Sequence, residues 1–474
     1  MAEQPPVAER VLDRNARPTH FASLPADFIF GTATAAYQIE GGAKAGGRGP
    51  SIWDTFCHVK GLSRNGESGD IANDHYHRWE SDLDLMASLG LPAYRLNFGW
   101  SRLQPAGEGP LNPEGVEFYR KLIQGCHARG IRPFVTVYHW DLPQPLQDKG
   151  GWGERATTDR FAEYTSLLID NFGDIVKDWI TINEAWCVAY LGHATGAHAP
   201  GLKDPKLATR ATHHVLLAHG KAVQQFRAKA PELKVGITNI LTNVEAGSDS
   251  AADLAAAASV DIAGNQLFLN PLYLGDYGTA VYDQYEALGL NRVPTDGALV
   301  QPGDLEIIAT PTDFVGINHY HSFEVTANPA AEGGVEIAPS QPNDQSNWGW
   351  SNTPWALHKI LKRVNADYSQ LPIYITENGI TLADYTDPDG QCTDLDRIHY
   401  LNGYIDAVAQ AVGEGIPVKG YFTWSFMDNF EWAEGYSKRF GMVFVDYPSQ
   451  LRYPKASAFW YRDLIAEHNK KAAH

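Results

Sequence analysis

Two glutamates, Glu184 and Glu377, stand at equivalent places in the sequence, each directly after a short apolar run. Glu184 ends the segment WITINE, and Glu377 ends the segment IYITE. So long a stretch of chain separates them that only the fold can bring them together. Paired carboxyl groups that flank a cleft can cleave a glycosidic bond, because one attacks the anomeric carbon while the other protonates the departing oxygen.

Each glutamate taken alone also fits a structural role, since the N-terminus of a helix that follows a strand favours a negative charge. An asparagine, however, stands beside both of them: Asn183 precedes Glu184, and Asn378 follows Glu377. Helix capping explains one such glutamate more easily than two in matching settings. We therefore interpret the pair as catalytic.

Eight short apolar, β-branched runs predict the strands that would position these residues, and most are followed by a segment of helical period. One helix is predicted to begin at Asn112-Pro113 and to stop at Gly130, another covers residues 161–172, and a third covers 395–414. Alternating strands and helices indicate a parallel sheet covered by helices. The predicted strands are 28–33, 93–98, 133–139, 179–183, 235–238, 314–320, 373–376 and 420–424.

Eight such units predict an α/β fold in which the sheet closes into a single (β/α)8 TIM barrel with elaborated βα loops. Residues 21–474 would form this one catalytic domain, after a polar tail at residues 1–20. The alternative is an open, doubly wound sheet, which expects a glycine-rich phosphate turn after its first strand. Residues 41–48 only approximate such a turn, because Arg48 stands where a P-loop has lysine.

Polar residues gather at the predicted strand ends, which converge on one mouth of a barrel. One polar strand end is ordinary capping, whereas seven at corresponding places predict a site. These residues are Gln38 and Glu40, Arg95 and Asn97, His139 with Trp140 and Asp141, Asn183 and Glu184, Asn318 with His319 and Tyr320, Glu377 and Asn378, and Trp424.

Aromatic residues make up 11% of the chain, and 13 of them are tryptophan. Residues 421–432 mix rings with carboxylates and an amide, which is the combination that a sugar requires, since a ring packs on its C–H face and polar groups bind its hydroxyls. A hydrophobic core strand explains alternate residues of this segment. It does not explain Glu431 beside Trp432 just beyond a strand end.

Composition excludes several other classes of protein. The 56 acidic and 38 basic side chains give a net charge of −18, which argues against a nucleic-acid or anionic-membrane partner. The sequence contains no run of about 18 apolar residues, so no transmembrane helix is predicted. The four cysteines are scattered, and no metal-ligand spacing occurs, so we expect neither disulfides nor a metal or other cofactor. These features favour a cytoplasmic protein and leave a homo-oligomer open.

With these residues in place, the chain resembles the family 1 glycoside hydrolases, the β-glucosidase family, over nearly its whole length. The resemblance rests on FIFGTATAAYQIEG at 28–41, TINE at 181–184 and ITENG at 375–379. It implies a (β/α)8 barrel that needs no cofactor and cleaves small-molecule β-glycosides with retention of configuration.

The resemblance also implies a role for each residue. Glu377 would be the nucleophile and Glu184 the general acid and then the general base, while Arg95 and Tyr320 would hold and aim Glu377. Asn183 would bind the sugar 2-hydroxyl. The remaining residues of the implied substrate site are Gln38, His139, Glu431 and Trp432 at the other hydroxyls, Trp424 beneath the ring, Asn318 and Phe440 in the pocket, and Trp348 at the aglycone entrance.

Two positions depart from the family pattern: Ala185 replaces the proline that usually follows the acid/base glutamate, and Asn97 stands where serine is common. Members that act on 6-phosphosugars generally have serine and tyrosine in place of Glu431 and Phe440, so we expect a non-phosphorylated sugar. Three alternatives stay open: a broad β-galactosidase or β-fucosidase, a transglycosidase at the same site, and a non-catalytic sugar-binding barrel. The presence of Glu184, Glu377, Arg95 and Tyr320 argues against the last, since binding alone needs no such set.

Overall fold

The computed structural model describes residues 13–59, 62–287, 299–338 and 346–472. Eight of its strands form a closed parallel barrel in the order β1-β2-β3-β4-β5-β7-β10-β11, and β11 pairs with β1. The strands are β1 Ile29–Ala33, β2 Ala93–Asn97, β3 Arg132–Tyr138, β4 Asp178–Asn183, β5 Lys234–Ile240, β6 Asn243–Ala246, β7 Phe314–Asn318, β8 Ser322–Ala327, β9 Val335–Ile337, β10 Ile373–Asn378, β11 Val418–Trp424, β12 Val443–Asp446 and β13 Leu451–Pro454.

The predicted barrel is therefore confirmed, and the open doubly wound sheet is wrong. Each barrel strand lies within two residues of its predicted bounds at either end. The strands are buried over most of their length, as expected of a parallel sheet that has helices on its outer face.

Helices occupy most of the connections between barrel strands, as in an alternating β/α chain. Two further segments are π-helical, Cys187–Ala194 and Ile262–Gln266. The α-helices are α1 Ala36–Ile39, α2 Ile52–His58, α3 His75–Ser88, α4 Trp100–Leu103, α5 Pro113–Ala128, α6 Gln144–Gln147, α7 Ala156–Phe172, α8 Pro205–Lys229, α9 Ala251–Asp261, α10 Leu267–Tyr273, α11 Thr279–Ala287, α12 Asp304–Ile308, α13 Pro354–Asp367, α14 Leu395–Gly413 and α15 Ala456–Ala472.

Helix α5 illustrates how local sequence sets the helix bounds. The Asn112 side chain accepts a hydrogen bond from the Glu114 N–H, and Pro113 occupies the first turn, where its missing N–H is no loss. The helix ends before Gly130, whose φ of 70° most residues avoid. Its stripe of Phe118, Leu122 and Cys126 is buried against the barrel, and all four cysteines of the chain are free and buried.

Additional strands lengthen the connections that follow the carboxyl ends of barrel strands. Strands β6, β8 and β9 form a small sheet after β5 and β7, and β12 and β13 form an antiparallel pair after β11. The loop after β11, residues 425–442, is anchored by Asp428, which accepts hydrogen bonds from Lys455 Nζ (2.8 Å), Arg439 Nη1 (2.6 Å) and the Gly441 N–H (2.9 Å). This anchoring matters because the loop carries Glu431 and Trp432.

The predicted polar tail, residues 1–20, lies partly outside the described residues, which begin at 13. Its described portion contacts α15: Trp460 Nε1 donates to the Ala16 carbonyl (2.7 Å), and Arg17 pairs with Glu467 (3.1 Å). Within the described ranges, no helix is both long enough and apolar enough to cross a bilayer.

Candidate active site

Glu377 lies in β10 and is paired with Arg95 of β2. Arg95 Nη1 donates to Glu377 Oε1 at 2.5 Å, and Nη2 of the same guanidinium donates to Asn183 Oδ1 at 2.7 Å. The side chains of Arg95 and Glu377 are only 2% and 4% exposed. The barrel therefore places a buried, charge-paired carboxylate at the carboxyl ends of its strands.

Tyr320 supplies the second hydrogen bond to this carboxylate. Its hydroxyl donates to Glu377 Oε2 at 2.6 Å, and its own carbonyl accepts from the hydroxyls of Tyr400 (2.8 Å) and Tyr404 (2.9 Å). Burial and the nearby Glu377 raise the pKa of Tyr320 well above its usual value, so the phenol stays protonated. Both oxygens of Glu377 thus have a donor, which fixes the orientation of the carboxylate.

Glu184 directly follows β4 and sits in a different environment. Its Oε1 accepts from Asn318 Nδ2 at 2.5 Å, and its Oε2 lies 3.0 Å from Cys187 Sγ. Burial first, and then the negative charge of Glu377, raise the pKa of Glu184 to about 7. The protonated form that a general acid needs is therefore available near neutral pH.

A continuous hydrogen-bond path joins the two glutamates. From Glu377 it runs through Arg95 to Asn183, whose Oδ1 also accepts from Asn318 Nδ2 at 3.1 Å, and Asn318 in turn donates to Glu184. Residues from β2, β4, β7 and β10 thus meet at one mouth of the barrel, as the sequence predicts.

Gln38 lies beside Glu431, and His139 lies beside Asn183. Gln38 Nε2 donates to the Phe430 carbonyl (2.9 Å) and lies 3.3 Å from Glu431 Oε2, while Gln38 Oε1 is buried with no partner among the described residues. His139 Nε2 lies 3.1 Å from Asn183 Nδ2, and burial together with Arg95 lowers the pKa of His139, so the ring is neutral. Burial, Glu377 and Glu184 raise the pKa of Glu431 to about 8.

Two tryptophans lie beside His139. The ring centroids of Trp424 and Trp432 are each 5.9 Å from that of His139, in stacked orientations. Trp432 is backed by Trp140 at 4.7 Å and by Tyr37 at 6.0 Å. These rings give the site an aromatic surface next to its polar groups, which is the pairing that sugars bind.

Trp348 and Phe440 continue the aromatic surface toward Tyr320. The Phe440 ring centroid lies 6.0 Å from Tyr320 and 6.1 Å from Trp348, and Trp348 stacks on Trp350 at 4.6 Å. Lys438 Nζ lies 5.4 Å from the centre of the Trp348 ring. Through these contacts Trp348 and Phe440 are joined to Tyr320, which itself donates to Glu377.

Other polar strand-end residues bind the scaffold instead. Glu40 accepts from Arg102 Nε at 2.8 Å, Asn97 Oδ1 accepts from the main-chain N–H of Ala36 at 2.5 Å, and Asn378 Nδ2 donates to the His319 carbonyl at 2.5 Å. Interpreting every polar strand end as part of a site is therefore wrong for these three residues, which support the loops around it.

The main chain at Glu184 is hydrogen-bonded to the neighbouring strand β5, and Ala185 stands where the family pattern has proline. The Glu184 N–H donates to the Thr238 carbonyl at 2.9 Å, and Glu184 adopts a left-handed φ of 50°. Ala185 is fully buried and helical, and it leads into the π-helical segment Cys187–Ala194. Sequence reasoning missed Cys187, although its position three residues after Glu184 places both on one side of a helical turn.

His75 and His213, which lie outside the site, are paired with carboxylates of the scaffold. His75 Nδ1 lies 2.8 Å from Asp82, and His213 Nε2 lies 2.9 Å from Asp304. Across the described ranges, no three His, Cys, Asp or Glu side chains are grouped as a metal ion would require.

Comparison with known proteins agrees with this geometry. Residues 20–470 match the profile of glycosyl hydrolase family 1. The chain is 44% identical over 443 residues to "Beta-glucosidase A" of Thermotoga maritima, covering 93% of this chain and 97% of that one. It is 42% identical over 468 residues to a "Bifunctional beta-D-glucosidase/beta-D-fucosidase" of Bifidobacterium breve, covering 94% and 99%.

Solved structures give the same result. A family 1 β-glucosidase from Thermotoga maritima superposes with a TM-score of 0.90 at 43% identity, and the "AHE enzyme" from Alicyclobacillus herbarius does so with 0.90 at 47%. Each match covers 94% of this chain and 98% of the other. The family predicted from the motifs is confirmed: this chain belongs to glycosyl hydrolase family 1.

Proposed function

We propose that this protein is a retaining exo-β-glucosidase that removes terminal, non-reducing β-D-glucosyl residues from β-glucosides and short oligosaccharides. The observation that carries the proposal is the unequal environment of two carboxyl groups in one site. Glu377 accepts hydrogen bonds from Arg95 and Tyr320, whereas burial and Glu377 raise the pKa of Glu184 to about 7. A nucleophile must be ionised and a general acid must be protonated, and these surroundings suit that division.

In the first step, a Glu377 oxygen attacks the anomeric carbon while the bond from that carbon to the departing oxygen breaks. The proton on Glu184 passes to the departing oxygen, so the aglycone leaves as a neutral alcohol. A covalent glucosyl ester on Glu377 and an ionised Glu184 result.

In the second step, the roles of Glu184 reverse. Esterification removes the charge of Glu377, which is one cause of the raised Glu184 pKa, so Glu184 stays ionised and can act as a base. It takes a proton from a water molecule whose oxygen attacks the anomeric carbon, and the ester bond to Glu377 breaks. Two inversions leave the configuration of the sugar unchanged.

The polar group around Gln38 fits the hydroxyls of a terminal glucosyl unit. We assign Gln38, His139, Glu431 and Trp432 to these hydroxyls, and Asn183 to the 2-hydroxyl. Gln38 Oε1, which has no partner among the residues that the structure describes, supports this assignment, because a buried acceptor without a donor is unfavourable until a ligand supplies one. We further assign Trp424 to the sugar face, Asn318 and Phe440 to the pocket wall, and Trp348 to the aglycone entrance.

A non-phosphorylated substrate follows from the same residues. Phe440 has no hydrogen-bond donor, and a phosphate dianion beside Glu431 would meet a second negative charge whenever that carboxyl is ionised. We expect kcat/KM for a β-glucoside to exceed that for its 6-phosphate by at least about 100-fold, which corresponds to roughly 2.7 kcal/mol. Comparable values would overturn the assignment.

Hydrolysis of p-nitrophenyl β-D-glucoside tests the function directly. The wild type should release p-nitrophenol, and Glu377→Gln should lose at least about 1,000-fold in rate. Glu184→Gln should lose far less on this activated substrate than on an alkyl glucoside, since p-nitrophenolate leaves without a proton. A wild type that binds glucosides but never cleaves them would instead favour the non-catalytic barrel.

The bifunctional relative from Bifidobacterium breve favours a second activity on β-fucosides, so p-nitrophenyl β-D-fucoside and β-D-galactoside belong in the same assay. Product analysis at high sugar concentration separates hydrolysis from transglycosylation.

We also propose that residues 21–474 form one catalytic domain. The cytoplasmic location and any homo-oligomer stay predictions from the sequence.

A further inference from the structure

Glu184 has a second partner that the mechanism above does not use, the thiol of Cys187. Cys187 begins the π-helical segment after β4, is 5% exposed, and places Sγ 3.0 Å from Glu184 Oε2. We propose that Cys187 is a positioning residue for the acid/base step: its S–H donates to Glu184 Oε2 while that carboxylate is ionised and releases it when the carboxyl is protonated. This inference rests on the proposed role of Glu184.

The other oxygen of Glu184 cannot change its hydrogen bond in this way. Thr376 Oγ1 donates to Asn318 Oδ1 at 2.8 Å, so the amide nitrogen of Asn318 faces Glu184 Oε1. An amide N–H can only donate, and this contact therefore persists in both protonation states. A thiol is a weak donor and also a weak acceptor, so the contact at Oε2 is the one that can change during the cycle.

Several ionisable groups lie near Glu184 and Cys187, and their charges affect the protonation of both. Glu377, Glu431 and Tyr320 interact electrostatically with Glu184, and Arg95 brings a positive charge from β2. His139 is neutral because burial and Arg95 lower its pKa. Burial and Glu184 itself raise the pKa of Cys187 well above its usual value, so the sulfur keeps its proton and remains a donor.

A small cavity of about 10 Å³ gives the released thiol room to turn. Cys187, Trp53, Tyr138 and His193 are among the residues that line it. His193 Nδ1 donates to the Val188 carbonyl at 2.9 Å, which leaves Nε2 as an acceptor, and no partner for Nε2 lies within the described residues. The cavity is thus lined both by Cys187 and by a histidine that carries a free acceptor among the described residues, which is the alternative partner that the proposal assigns to the released thiol.

Three variants test the proposal through the pH dependence of kcat/KM on an aryl β-glucoside. The descending limb reports the protonated Glu184 of the free enzyme. The S–H stabilises the ionised form of Glu184, so removing it should raise the pKa of Glu184. Cys187→Ala should therefore move the descending limb to a pH about 0.5–1 unit higher. Cys187→Ser keeps a donor and should leave the limb at or below its wild-type position. Cys126→Ala, a matched truncation of a buried cysteine in α5, should leave it unchanged.

A limb that stays in place in active Cys187→Ala would overturn the proposal, as would equal shifts in the alanine and serine variants. A ¹³C NMR titration of glutamate side chains, with the Glu184 signal assigned by its loss in Glu184→Gln, repeats the comparison without catalysis. If the wild type were inactive, the proposed function would fail, while an upward shift of the Glu184 signal in Cys187→Ala would still uphold the thiol contact. An unchanged signal would refute it.

Discussion

Arg95 and Glu377 form an ion pair in which Nη1 and Oε1 are 2.5 Å apart and both side chains are almost completely buried. The same guanidinium donates to Asn183, so it couples the position of Glu377 to that of the residue before Glu184. A planar guanidinium can serve both partners at once, whereas an ammonium group cannot reproduce that geometry.

Two substitutions of Arg95 therefore separate the effect of its positive charge from the effect of its two-sided hydrogen bonding. Arg95→Lys keeps a positive charge but loses the two-sided contact, and we expect kcat/KM to fall by at least about 100-fold. Arg95→Met leaves Glu377 buried without its cation and should also destabilise the fold by roughly 3–5 kcal/mol. Arg132→Lys is a suitable control, because Arg132 pairs with Asp178 at the opposite end of the barrel and is 45% exposed. Steady-state kinetics and denaturant unfolding measure both effects, and equal losses in the Arg95→Lys and Arg132→Lys variants would contradict this account.

Tyr320→Phe removes one hydrogen bond to Glu377 and leaves the ring in place. We expect kcat to fall by about 10–100-fold, with a melting temperature close to that of the wild type. Tyr404→Phe removes a hydroxyl that donates to the Tyr320 carbonyl and accepts from the Thr353 N–H but does not touch Glu377, so its kinetic effect should be smaller. The prediction fails if the order of the two effects on kcat is reversed.

Glu431 makes stability depend on pH in a specific direction. Its folded pKa of about 8 lies above the ordinary value of 4.5, so the folded state holds this proton more tightly than the unfolded state does. The contribution of Glu431 to stability is therefore present at low pH and is lost as the pH rises from about 4.5 to about 8. Glu431→Gln should melt about 1–4 °C above the wild type at pH 8, and this gain should vanish near pH 4.5.

Thermal unfolding across this pH range measures the effect, with Glu117→Gln as the control. Glu117 is an exposed residue of α5 that pairs with Lys121. Parallel pH profiles of melting temperature for the wild type and Glu431→Gln would show that folding does not raise the pKa of Glu431, which would contradict the prediction.

The buried ion pairs behind the loop of residues 425–442 should contribute more to the free energy of unfolding than an exposed ion pair does. Asp428 holds Lys455 and Arg439, and Lys455 has no exposed side-chain area. Asp428→Ala leaves both cations without this partner, so we expect a loss of roughly 3–5 kcal/mol together with a higher KM, since the loop carries Glu431. Glu117→Ala breaks an exposed pair and should cost no more than about 0.5 kcal/mol. Similar losses in the two variants, measured by denaturant unfolding, would refute this ranking.

The barrel could be predicted from sequence because each strand is a compact apolar run bounded by polar or glycine residues. The prediction for β5 ended too early, at residue 238, since Asn239 interrupts the apolar pattern although it is buried within the strand. The small sheet of β6, β8 and β9 was not predicted, because its strands are short and only half-buried and so have no clear period.

The candidate site was predicted to the extent that its residues lie at strand ends or in recognisable motifs. Long-range support was invisible, because nothing in the local sequence tells that Tyr400 and Tyr404 hold the carbonyl of Tyr320. The contact of Cys187 with Glu184 was missed for a different reason. Its helical spacing was readable, but the π-helical turn that begins at Cys187 could not be foreseen.

The stereochemistry of azide rescue tests the central claim most directly. In Glu377→Gly, azide can enter the space of the missing carboxylate and attack the anomeric carbon once, so an aryl β-glucoside should yield the inverted α-glucosyl azide. In Glu184→Ala, azide should instead intercept the ester on Glu377 and yield the β-glucosyl azide. These two products would establish Glu377 as the nucleophile and Glu184 as the acid/base. The opposite assignment of products, or a β-azide from the Glu377 variant, would contradict the account.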